Sequence, residues 1–176
     1  MMKKELSVLI MAALFSSSAA LAEDYSATVD ISGVVKPPEF SCSVLLSENS
    51  VSILEESDTL IKQSENATTP TRIHVSVDGG PKCADLMNEG KISYKFQGTA
   101  DNADGTALAN ALNDATAAKG VGIGIFDAEN KPLAVNSARL AATEDTVFGL
   151  QMVQLTNQEP VAGNINSTLT VQIERL

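Results

Sequence analysis

Ala27-Thr28-Val29-Asp30-Ile31-Ser32-Gly33-Val34-Val35 alternates side chains with a period of two. Successive side chains of a strand point to opposite faces, so Ala27, Val29, Ile31, Gly33 and Val35 share one face and Thr28, Asp30, Ser32 and Val34 the other. Pro37-Pro38 ends the run, because proline cannot donate to a strand ladder. By alternation alone, residues 26–36 read as an ordinary first strand of the chain's own sheet. Further strand-like stretches are residues 40–46, 51–54, 72–77, 91–96, 121–126, 146–155 and 169–173. Between them stand turn-forming clusters such as Asp78-Gly79-Gly80-Pro81 and Asp101-Asn102-Ala103-Asp104-Gly105. Many short strands with such punctuation predict an all-β chain, an antiparallel sandwich or barrel. Ala107, Leu108, Ala111, Leu112 and Ala115 have helical spacing, but Asn110, Asn113 and Asp114 favour a loop there.

Upstream of the quoted stretch, Lys3 and Lys4 precede a largely apolar run and the small residues Ala20 and Ala22. That is the pattern of a secretory signal peptide over residues 1–22. Its apolar run is too short for a permanent membrane span, which needs about 20 residues. Removing it leaves a chain of ordinary single-domain size, expected to be soluble. The full chain carries a net charge of −10. Loss of Lys3 and Lys4 with Glu5 makes the mature protein more acidic still, which repels phosphate backbones and argues against nucleic-acid partners. Cys42 and Cys83 are the two cysteines of the sequence. An even count in an exported chain predicts a disulfide, while a metal or thiol site is disfavoured by a single histidine and the absence of a CxxC motif.

Catalytic and cofactor patterns are weak. Gly120, Gly122 and Gly124 give a GxGxG stretch, but Ile123, Ile125 and Phe126 around them read as strand, not as a turn that opens a helix. The Asp101 to Gly105 turn lacks the alternating ligands and closing glutamate of a calcium loop. His74 shares parity with Arg72 and Ser76, so it is expected to face solvent, and no nucleophile-elbow pattern accompanies it. The sequence has no tryptophan and few aromatics, which weakens a ligand-stacking reading. No catalytic residue, metal or cofactor is therefore assigned.

Taken in order along the chain, the N-terminal stretch, Cys42, Cys83, Phe96-Gln97-Gly98-Thr99-Ala100-Asp101, Gly120-Val121-Gly122-Ile123-Gly124-Ile125 and the alternating Leu169, Val171 and Ile173 after Gly163 resemble the subunits of type 1-like fimbriae of the chaperone–usher pathway. The resemblance implies an incomplete immunoglobulin-like antiparallel β-sandwich completed by a donor strand. It implies residues 23–36 as the donor extension, with Ala27, Val29, Ile31, Gly33 and Val35 facing the acceptor, and residues 37–176 as the pilin domain. It places Gly163, Leu169, Val171 and Ile173 on the edge that meets a periplasmic chaperone and then a neighbouring subunit. An outer-membrane usher and surface display on a fimbrium follow from the same likeness. A host receptor reached through the fibre also follows, and a minor tip-associated adhesin is the alternative function. Arg175 departs from the pattern, since the family usually carries tyrosine at the penultimate position.

Overall fold

The computed structural model describes residues 29, 31–36 and 40–176. The chain divides into two units, Met1–Lys36 and Pro37–Leu176. The signal peptide expected over residues 1–22, and Ala27 of the expected donor face, lie outside the described residues. In the first unit, residues 31–36 belong to no strand and are exposed.

The second unit contains β1 (Ser43–Leu46), β2 (Ile61–Lys62), β3 (Thr71–Asp78), α1 (Pro81–Asn88), β4 (Ile92–Gln97), β5 (Val121–Phe126), β6 (Pro132–Leu133), β7 (Arg139–Ala141), β8 (Thr146–Gln154) and β9 (Thr170–Arg175). One sheet runs β1-β3-β8-β5-β6, with β2 parallel to β8, and the other runs β7-β4-β9. All other strand pairs are antiparallel. Apolar side chains from both sheets meet in one core. Ile73 and Val75 of β3, Ile123 and Ile125 of β5 and Phe148 of β8 face Ile92, Tyr94 and Phe96 of β4. The Phe96 and Phe148 rings lie 5.1 Å apart in a tilted pair. Full burial of such side chains stabilises by roughly 1.5–3 kcal/mol each, so this interior dominates the stability of the sandwich.

Most of the expected strands form, and the short strands β2, β6 and β7 add to them. Residues 51–54 form no strand, although Val51 and Ile53 still pack toward the core while Leu54 is 97% exposed. Residues 107–115 form no helix, in keeping with the loop that Asn110, Asn113 and Asp114 favour. Leu108 instead exchanges two hydrogen bonds with Ile123 at the edge of β5. The one helix among the described residues follows the Asp78-Gly79-Gly80 turn, which reads in sequence as punctuation alone. Gly80 supplies a positive φ of 75° at the N-cap, Pro81 fits the first turn where no N–H partner is required, and Gly90 at φ 68° follows the end. Gly122 and Gly124 of the GxGxG stretch lie in β5, all six residues of which are buried, and Gly120 precedes the strand at a φ of 65°. A Cβ at Gly122 would come within 2.9 Å of the Leu108 carbonyl oxygen, so the close approach of backbone to backbone requires glycine.

Candidate strand-acceptor groove

β9 hydrogen-bonds to β4 along one side, from Ile92↔Arg175 to Gln97↔Thr170, and its other side is an open edge. Residues 50–54 make no backbone hydrogen bond among the described residues. Between these two unpaired stretches lies a groove of about 430 Å³. Its floor is apolar: Ile73, Leu108, Ile123, Phe148, Leu150 and Met152. Val51 and Ile53 line one wall, and Ile165, Leu169 and Val171 line the other. An apolar trough flanked by two unpaired backbones is the shape left when one strand is missing from a sandwich. An extended segment laid there would pair its main chain on both sides and bury alternate side chains on the floor.

Several side chains hold the frame of this groove. Met152 donates its backbone N–H to Glu55 Oε1 at 3.3 Å, which ties the chain just after the unpaired wall to β8. Burial pushes the Glu55 carboxyl above its ordinary value, and the bonds from Met152 and Gln151 only partly oppose this. In the loop that leads to the floor residue Leu108, Asp101 accepts from the backbone N–H groups of Ala103 and Ala107 and from Gln63 Nε2. Burial raises that carboxyl, but these hydrogen bonds, with a further one from Gly105, outweigh it and hold Asp101 below the usual range. The carboxylate thus organises the 101–107 loop. His74 is exposed, as its parity requires, and its Nδ1 lies 2.8 Å from Asp145 Oδ1.

The disulfide forms between Cys42 and Cys83, with Cα atoms 5.8 Å apart. It links the chain entering β1 to α1, across a sequence separation of 41.

A family model described as "Fimbrial protein" matches residues 29–174. The chain belongs to the fimbrial protein family. This fimbrial chain is 26% identical over 143 residues to long polar fimbria protein A of Salmonella typhimurium (strain LT2), spanning 81% of this chain and 78% of the relative. Its fold is similar to that of the P pilus rod subunit PapA, with a TM-score of 0.50 at 15% identity over 86% of this chain and all of that one. A type I fimbria protein and antigen of Burkholderia pseudomallei aligns with a TM-score of 0.48 at 16% identity, over 77% of this chain and 99% of that one. The two antiparallel sheets and the likeness to PapA give the fimbrial chain the immunoglobulin-like antiparallel architecture that the resemblance implies.

The sequence-assigned residues separate in space. Leu169 and Val171 line the groove, while Ile173 packs against the core beyond its lining. Gly163 lies elsewhere: a Cβ there would stand 2.5 Å from the Ala118 backbone nitrogen, so it serves the close approach of residues 116–118. Val29, Ile31 and Val35 are 78%, 92% and 98% exposed, and nothing lies within 4 Å of a Cβ built on Gly33. The sequence reading missed the floor residues Leu108, Phe148 and Leu150 as parts of a site, because nothing local distinguishes a groove floor from a core. The alternation of residues 51–54 was a usable signal for one wall.

Proposed function

We propose that the fimbrial chain is a structural subunit that polymerises by donor-strand exchange. Its residues 23–36 fill the groove of a neighbouring copy, and its own groove is filled first by a periplasmic chaperone and then by the next subunit. The observation that carries this reading is the apolar groove between β9 and residues 50–54, with unpaired backbone on both sides. The occupant is argued from the chain itself: Val29, Ile31 and Val35 fall on one parity of the run and are exposed, so they have roughly 1.5–3 kcal/mol each to gain by burial elsewhere. Ala27, Val29, Ile31, Gly33 and Val35 are assigned to the inserted face, and Leu169 and Val171 to the receiving edge with Ile173 at its end. Gly163 is assigned to supporting the loop before that edge. Delivery through an outer-membrane usher to the cell surface accords with family membership, as does a non-enzymatic role without cofactor.

A synthetic peptide of residues 25–36 tests the pairing. It is expected to bind refolded subunit lacking its own extension. The same peptide with Gly33→Leu is expected to bind more than tenfold more weakly, because a bulky side chain there clashes with the groove floor. Equal binding of the two peptides would refute the glycine assignment, and no binding of either would refute the exchange itself.

A further inference from the structure

Beyond the groove lining, a corner joins Phe40, the disulfide, α1 and the end of β9. The Arg175 guanidinium lies 4.8 Å from the centroid of the Phe40 ring, and Nη2 is 3.9 Å from Cys42 Sγ. Lys82 Nζ, beside Cys83, stands 5.2 Å from the same ring. The Leu176 N–H donates to the Lys91 carbonyl, which holds the terminus of β9 against the start of β4. On β9 the groove lining stops at Val171, and on β1 it includes only Leu46. Phe40, Ile173 and Arg175 are outside it.

Lengths then matter. The donor face from Ala27 to Val35 is about 26 Å long at about 3.3 Å per residue. The wall from Ile165 to Val171 offers about 20 Å at most by the same rise. The donor face is therefore longer than this wall by about 7 Å, the spacing of one apolar position.

We infer that the Phe40–Arg175 contact is a gate at the end of the acceptor groove, closed in the empty subunit and opened when the last apolar position of the incoming strand seats. Arg175 is then a positioning residue for the acceptor edge, acting through Phe40. The inference rests on the donor-strand reading above. An exposed cation–aromatic contact is weak, equivalent to roughly a two- to fivefold change in an equilibrium. Burial of one more valine-sized side chain is worth roughly tenfold or more, so seating still wins and the gate reduces its advantage without blocking it.

The test compares the residue 25–36 peptide with versions shortened to 28–36 and to 25–34, each losing one apolar position, on disulfide-intact subunit refolded with peptide. In Arg175→Ala the advantage of the full peptide over one of the shortened ones is expected to increase by about two- to fivefold relative to the unmodified subunit. Arg175→Lys, which keeps the cation, is expected to behave like the unmodified subunit, and Phe40→Leu like Arg175→Ala. A purely structural role would weaken all peptides alike. Should Arg175→Ala fail to fold, Phe40→Leu opens the corner from the other side. An unchanged length ratio in the opened variants overturns the gate while leaving strand exchange standing; no binding of any peptide overturns both.

Discussion

Glu55 shows how a single side chain can set a pH dependence at the groove. Burial raises its carboxyl above the ordinary value of 4.5, so the folded state binds the proton more tightly than the unfolded chain does. Its favourable contribution is therefore complete below that value and is lost as pH rises through the elevated folded value. Glu55→Gln is expected to stabilise the subunit near neutral pH by about 0.5 kcal/mol, a modest figure because solvent reaches the group. The gain should vanish below about pH 4, where both side chains are neutral. Denaturant titrations of the chaperone-free, peptide-filled subunit at the two pH values check it, and a variant less stable at neutral pH would reverse the sign. Cys83→Ser removes the covalent link between the β1 entry and α1. Loss of that constraint is expected to cost roughly 4 kcal/mol and to lower periplasmic yield, measured by immunoblot against the unmodified chain.

Elements differ in how much of their partner lies inside the chain. β8 is paired along both sides, by β3 and β5, and its length and boundaries follow the alternation of its sequence closely. β9 is paired on one side, and residues 50–54 have the alternation of a strand without any ladder. Val171 belongs to β9, opposite Phe96, and faces both core and groove. Val171→Asp places a charge where no partner is available and is expected to cost roughly 2–4 kcal/mol. Gln172→Asp, one residue on and exposed, is expected to be nearly silent. Pulse-chase of periplasmic subunit measures both; a long-lived Val171→Asp subunit that still co-purifies with its chaperone would remove β9 from the proposed edge.

At the scale of the molecule, the question is whether residues 26–36 serve this sandwich or another. The core of the second unit is assembled from β3, β4, β5, β8 and β9, with Phe96 against Phe148 at its centre. A subunit lacking residues 26–36 is expected to retain that core, to form the Cys42–Cys83 bond and to accumulate with its chaperone. It is also expected to be unable to cap the subunit ahead of it, so fibres should stop growing wherever it is incorporated. Size-exclusion of chaperone complexes together with electron microscopy of fibres gives the answer. A deletion that abolishes chaperone complexes would mean that the segment is a strand of its own sheet.

The sequence by itself determined the all-β class, most of the strands, the disulfide partners, the exposure of His74 and the glycine-dependent strand β5. These are local properties: period-two alternation, turn chemistry and a count of two cysteines are written within short windows. The tertiary structure decided the rest. It made α1 out of a turn cluster because Pro81 after a left-handed Gly80 starts a helix and the disulfide holds Cys83 within it. It moved Gly163 from the proposed edge to a backbone crossing at residues 116–118. It stacked Arg175 on Phe40, two residues that are far apart in sequence. Residues 51–54 mark the boundary most clearly. Their alternation was legible, but a strand exists only with a hydrogen-bonding partner, and the described part of the chain offers none beside them.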